Sequence, residues 1–309
     1  MEQAIELSET VVQIRQELTP EIPLYMHAVI GADAVALVDG GLPASGAHID
    51  RLLESRRGRP LRYLANTHAH HDHIGNFRRL RDVHGSLAVA AAGAVPWIED
   101  VDRNLREFAL HHPDLVPDTP ELRAELASTY AEQGCPVDVV VGEGAILRLG
   151  GGVELEAFEL PGHVHAELGW LERRSRCLIL GDTVTGTDWP IFHGHLDPRA
   201  FAATLHKLRA LIDERDITSV AMSHYAPREA SAFRTLLDEV TTYLQRIWAV
   251  VREPLGREPV SLEDVWLHTC RAMGKEPEFR SVAMVRAHLD DLLRTGEIRR
   301  VAADLYVAA

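Results

Sequence analysis

The chain has 309 residues and a formal net charge of −14, from 32 Lys and Arg against 46 Asp and Glu. Hydrophobic residues at 46% and charged residues at 25% give an ordinary globular balance, with material for one large domain and a smaller one. The acidic balance disfavours nucleic-acid phosphates and anionic membranes as partners, and no apolar run approaches membrane-spanning length.

The first third reads as short strands separated by turns. Residues 11–18 alternate weakly, and strands at 26–30 and 34–38 flank the hairpin-like Gly31-Ala32-Asp33. Val38-Asp39-Gly40-Gly41 closes a strand with a glycine turn. A helix over 46–56, a strand over 61–65, a helix over 77–84 and a strand over 87–91 follow, a succession that predicts an α/β layer arrangement. Residues 96–133 are polar and helical in period, with Thr119-Pro120-Glu121 as a helix start. An insertion of this kind between β-rich blocks forms either a lid or pocket wall, or a packing helix.

Strand character returns at 137–141, 145–149, 153–160, 168–171 and 177–180. Asp197-Pro198 opens a helix to about residue 212, 217–222 is an apolar strand, and 231–251 is helical. Arg252-Glu253-Pro254-Leu255-Gly256 reads as a linker. Beyond it, Ser261-Leu262-Glu263-Asp264 resembles a capped helix start, and 281–294 places Val282, Val285, Leu289 and Leu292 on one helical face. Short strands at 298–301 and 304–307 complete a helix, helix, β-wing outline. The expected organisation is therefore a catalytic domain over 1–252, with 96–133 as a helical insertion, and a small winged-helix-like module over 256–309. That module carries eight Lys or Arg against nine Asp or Glu, so it reads as a packing or dimerisation module, compatible with a homodimer, and not as a DNA binder.

The chemistry concentrates in Asn66-Thr67-His68-Ala69-His70-His71-Asp72-His73-Ile74-Gly75-Asn76, straight after an apolar strand. His68 and His70 alternate, so at a strand end both imidazoles can point the same way, while Asp72 and His73 fall on the turn opening the next helix. Four histidines in six positions would suit a tag or a solvated tract. A tag would not follow a buried strand with an aspartate in phase, so the cluster reads as a metal site for zinc, iron or manganese. Three further ligand types stand at strand ends: His163 in Pro161-Gly162-His163, Asp182 in Gly181-Asp182, and His224 in Ser223-His224-Tyr225.

His-x-His-x-Asp-His followed by His, Asp and His in that order resembles the metallo-β-lactamase superfamily, over about residues 11–250. The resemblance implies an αββα sandwich with the site at one rim. It implies that His68, His70 and His163 bind a first zinc, that Asp72, His73 and His224 bind a second, and that Asp182 bridges the two. Asp39, in Val-Asp-Gly-Gly, matches the family's first motif and is implied to support the site. True β-lactamases of the family generally carry cysteine where Asp182 stands. The aspartate is similar to the hydroxyacylglutathione hydrolases, lactonases, thioesterases and nucleases, and the tail resembles that of lactamase-like hydrolases with an appended C-terminal module. The basic residues of the hydroxyacylglutathione hydrolases are not evident after His224, where Ala226-Pro227-Arg228 stands.

Two adjacent cations would lower the pKa of a shared water, so the expected activity is metal-dependent hydrolysis of a carboxylic ester, thioester or lactone by a bimetal-bound hydroxide, with Asp72 expected to orient the nucleophile and shuttle its proton. Trp189, Phe192, His193, His195 and Tyr225 are the expected substrate-pocket residues, suited to a small acyl or aromatic substrate. Alternatives are a nuclease or phosphodiesterase on the same metals, a persulfide dioxygenase with one iron on His68, His163 and Asp182, and a non-catalytic ligand sensor. Cys135, Cys177 and Cys270 are scattered, and the opening Met-Glu-Gln-Ala-Ile-Glu lacks the basic start and apolar core of a secretory signal, so a cytoplasmic protein is expected.

Overall fold

The computed structural model describes residues 4–19, 22–56, 58–108, 111–112, 114–189, 191–192 and 194–309. Two sheets carry the architecture. The first runs in spatial order β1 (Ala4–Glu6), β2 (Val11–Thr19), β3 (Ile22–Ile30), β4 (Val35–Val38), β5 (Leu61–Ala65), β6 (Leu87–Ala91) and β7 (Val139–Val141). Its first four strands pair antiparallel, and β4 to β7 pair parallel. The second contains β8 (Ile146–Arg148), β9 (Glu154–Glu159), β10 (Leu168–Glu172), β11 (Cys177–Leu180), β12 (Ser219–Met222) and β13 (Arg228–Glu229), of which only β11 and β12 pair parallel.

Because side chains alternate along a strand, each sheet feeds two apolar layers. On β4, Val35 and Leu37 join a cluster with Ile49 and Leu52 of α1 (Gly46–Ser55), while Ala36 and Val38 face the other sheet. On β11, Cys177 and Ile179 meet that central layer, and Leu178 and Leu180 turn outward. α2 (His71–Ile74) is a single turn, and α3 (Phe77–His84) adds Phe77 and Leu80 to the α1 side. The order is helix, sheet, sheet, helix: the expected αββα sandwich.

The 96–133 insertion is helical in pieces, α4 (Val95–Glu99), α5 (Val101–Glu107) and α6 (Pro120–Thr129). Thr119 caps α6 as the sequence predicts, its hydroxyl accepting from the Leu122 N–H at 3.2 Å. α7 (Pro198–Glu214) and α8 (Ala230–Arg252) cover the second sheet with Phe201, Leu205, Leu208, Phe233 and Leu237.

Several elements lie outside the sequence expectation for physical reasons. β1 and β13 are too short to show a period, and β3 begins at Ile22, four residues early, because Pro23 reads as a strand breaker. The early start matters: Tyr25 N–H donates to Ser223 O at 2.7 Å, tying β3 to the end of β12.

After α8 come β14 (Val260–Ser261), α9 (Leu262–Met273), α10 (Phe279–Arg294), β15 (Ile298–Ala302) and β16 (Leu305–Ala308), the strands ordered β14-β16-β15. Ser261 and Asp264 form a reciprocal capping box, and Val282, Val285, Leu289 and Leu292 are fully buried. The apolar cluster they build is continuous across residues 252–256, since it includes Ile247, Val250 and Val251 of α8. Among the described residues no helix is long and apolar enough to cross a membrane.

Candidate metal centre

Seven buried ligand-type side chains converge where the parallel strands of both sheets end. His68 and His70 follow β5, Asp72 and His73 sit in α2, His163 follows β9, Asp182 follows β11 and His224 follows β12. One ligand atom each from His68, His70, His163 and Asp182 lies within 4.8 Å of the others, and Asp72, His73 and His224 form a second such group. Asp182 touches both: its Oδ2 is 3.7 Å from His163 Nε2 and 4.0 Å from His68 Nε2, and its Oδ1 is 3.3 Å from His224 Nε2 and 3.6 Å from His73 Nε2. Asp72 Oδ2 lies 3.3 Å from His224 Nε2 and 3.6 Å from His73 Nε2.

The far nitrogens of these imidazoles are held by the protein, which fixes where the near ones point. Asp39 accepts from His73 Nδ1 at 2.8 Å and also from the Thr67 N–H and hydroxyl, both at 2.8 Å. It does so from a left-handed backbone, φ 61°, just before a glycine turn. His163 Nδ1 donates to Gly194 O at 3.1 Å, and His224 Nδ1 to Pro23 O at 2.9 Å. Asn66 Nδ2 donates to His68 O at 2.6 Å, and Asn104 of α5 donates to Ala69 O at 2.6 Å, bracing the loop between the first two histidines.

The electrostatics suit a cation. Burial, and then the neighbouring imidazoles, hold His68 and His70 neutral, leaving lone pairs available. Burial opposes ionisation of Asp72 and Asp182, yet the facing histidines hold both carboxyls well below their usual range. Burial also opposes protonation of His73, but Asp72, Asp39 and Asp182 outweigh it and raise its pKa to about 9. His224 is raised likewise, by Asp182 and Asp72 against burial. Carboxylates that recruit protons onto imidazoles in this way attract a divalent ion in their place. His68 Nε2 and His73 Nε2 are buried without a hydrogen-bond partner among the described residues, a costly state that a cation relieves. The residues therefore fit divalent metal binding.

The expected pocket residues fare unequally. Trp189, half-buried, sets its ring edge to His224 at 5.6 Å between centroids and stacks on Tyr225 at 5.7 Å, so these two stand beside the cluster. Phe192 does not: it is 2% exposed in the apolar cluster with Ile247 and Met284, because α8 and α10 close over it. His195 is likewise taken up by packing, stacked on Phe201 and paired with His288 at 2.8 Å. His193 lies outside the described residues.

Sequence reasoning missed several neighbours. Phe108 stacks on His70 at 4.1 Å and Tyr130 on His71 at 4.7 Å, so the insertion walls the His-rich loop. Glu167, fully buried, accepts from Thr183 at 2.7 Å with its Oε1 3.9 Å from His68 Nδ1; burial pushes its carboxyl well above the usual range. A lone glutamate before a strand carries no sequence signal for this placement.

A site of clustered imidazoles and carboxylates at the strand ends of an αββα sandwich defines a metal-binding α/β protein. The metallo-beta-lactamase superfamily model matches residues 25–224, and the chain belongs to that family. It is similar to a metallo-beta-lactamase family protein of Thermus thermophilus, at 17% identity and a TM-score of 0.77, over 98% of this chain and 100% of that one. A beta-lactamase domain protein of Burkholderia ambifaria aligns at 19% identity and a TM-score of 0.73, over 99% and 93% of the two chains. YobT of Bacillus subtilis (strain 168) is 26% identical over 161 residues, 52% of this chain and 61% of its own length.

Proposed function

We propose that the chain is a binuclear metallo-hydrolase that cleaves a carboxylic ester, thioester or lactone of a small acyl or aromatic substrate. His68, His70 and His163 would hold one cation and Asp72, His73 and His224 the other, with Asp182 shared between the two groups; zinc is the first choice, with iron or manganese as alternatives. The observation that carries this reading is the Asp182 carboxylate, one oxygen facing each histidine group. Divalent cations so held supply Lewis acidity toward water and toward an electrophilic carbonyl oxygen.

The chain's own residues do the rest. Asp72, whose Oδ2 faces His224 and His73, would orient the attacking water, take its proton and return it to the leaving group. Asp39 keeps His73 in the tautomer whose Nε2 faces the site. Trp189 and Tyr225 wall the His224 side. On the His70 side a cleft of about 510 Å³ is lined by Trp97, Phe108, His165, Leu196, Ala283 and Arg286, an amphipathic space of small-molecule size.

The complete second group supports two ions over the single iron of a persulfide dioxygenase, and the net charge of −14 counts against a nuclease. Residues 1–252 form the catalytic domain in this reading. The order of β14, α9, α10 and the β15–β16 ribbon supports a winged-helix-like module over 256–309. Three free, buried cysteines agree with a reducing, cytoplasmic setting.

The test is a screen of the metal-loaded protein against thioesters, lactones, aryl esters, phosphodiesters and persulfides, with Asp182→Ala in parallel. Hydrolysis of an acyl substrate that disappears in Asp182→Ala is expected. Turnover confined to phosphodiesters or persulfides, or full acyl hydrolysis by the variant, contradicts the reading.

A further inference from the structure

We infer that the C-terminal module is a working part of the metal centre, and that His288 on α10 is a positioning residue for the ligand His163. This rests on the metal-binding reading of the cluster. The path is short and polar. His163 Nδ1 donates to Gly194 O at 3.1 Å, which sets the ring so that Nε2 faces Asp182 and His70. Gly194 has φ 78°, a left-handed turn suited to glycine, and the next residue, His195, turns into the protein and meets His288 Nε2 at 2.8 Å.

Both rings of the pair are buried, His195 at 4% and His288 at 0% exposure. Burial depresses the pKa of each, so the contact is a neutral N–H···N hydrogen bond with one ring donating and the other accepting. Its geometry is clamped from both sides, by Phe201 of α7 stacked on His195 at 5.0 Å and Trp248 of α8 edge-on to His288 at 5.8 Å.

The residues that follow His195 are tied to the ligand loop itself. Leu196 N–H donates to Gly162 O at 2.9 Å and is shared with His163 O at 3.1 Å, and Asp197 N–H reaches Gly162 O at 3.1 Å. A second link to α10 runs beside the first, Arg199 Nε to the buried Asp291 carboxylate at 2.6 Å. On the opposite side α10 reaches another ligand: Phe279 sets its edge on Phe108 at 5.2 Å, and Phe108 stacks on His70. One helix from the far end of the chain thus backs two ligands of the same group.

The experiment is calorimetric titration of the full-length, metal-stripped protein with Zn²⁺ alone, comparing wild type, His288→Ala and His288→Gln, with thermal midpoints of the metal-free forms alongside. His288→Ala is expected to weaken one of the two binding steps about tenfold, the lower end of what residues behind a ligand contribute, and to leave the other unchanged. His288→Gln, which retains a donor and an acceptor, is expected to regain most of that affinity while its metal-free midpoint stays lowered. Unchanged affinity in His288→Ala, or equal loss in both variants, overturns the inference while leaving the metal site standing. A wild type that binds no Zn²⁺ overturns both. Should His288→Ala fail to fold, Arg199→Gln severs the second link at a half-exposed position. A several-fold loss of affinity is expected there, and none contradicts the proposal.

Discussion

Asp39 shows how much one side chain does here. It sits in a backbone region few non-glycine residues adopt, and its carboxylate accepts three hydrogen bonds that lock Thr67 and His73. Asparagine tolerates the left-handed conformation, so Asp39→Asn removes the charge while keeping the shape. The variant should fold and bind divalent metal about 10–100-fold more weakly, as read by calorimetry. Wild-type affinity would mean that Asp39 only braces the turn. At this scale the sequence was informative where types cluster: the His-x-His-x-Asp-His run and the three single ligands all meet in space. It was silent on Glu167, Asn104 and Phe108, whose placement depends on contacts across the fold. Phe192 and His195, expected at the substrate pocket, are buried in packing. An apolar or aromatic residue a few positions past a ligand can line a pocket or join a core, and α8 and α10 decide for the core.

At the scale of elements, strand ends deliver the ligands, and the turns after them are under tight steric control. Gly162, between β9 and His163, has φ 140° and lies against α7, where an added Cβ would stand 2.6 Å from the Phe201 nitrogen. Gly162→Ala should therefore cost on the order of 1–3 kcal/mol in backbone strain alone and displace His163. A lowered melting midpoint together with weakened metal binding is the expected pair of results. A fall in stability with metal affinity intact would show that the loop tolerates the shift. Helix starts were legible from their caps, Thr119, Asp197 and Ser261 each accepting from the first turn. Two- and three-residue strands such as β13, β14 and β1 were not, since they exist only through their partners.

For the molecule as a whole, burial of uncharged histidines links stability to pH. His27 is 1% exposed beside Gln13, and burial lowers its pKa to about 3; His195 is lowered to about 3 in the same way. The unfolded chain takes up these protons near pH 6.5, whereas the folded chain resists until about pH 3. Between those values the unfolded state binds more protons, so the contribution is fully present above pH 6.5 and is lost as the pH falls toward 3. The slope approaches about 1.4 kcal/mol per pH unit for each such ring. Denaturant unfolding of His27→Gln between pH 6.5 and 4 should show a shallower pH dependence than wild type. Superimposable slopes would remove His27 from the explanation.

The α/β layering and the strand-end ligands were legible in periodicity and residue type, whereas the sandwich and the rim location of the site came from the family resemblance of the His-x-His-x-Asp-His pattern. The joining of the C-terminal helices to the site came from neither, because no local pattern couples residue 288 to residue 163. The metal content of the full-length protein, after equilibration with Zn²⁺ and removal of excess ion, reads the two histidine groups directly. Two equivalents per chain are predicted, one for each histidine group with Asp182 between them; one equivalent or none contradicts the account.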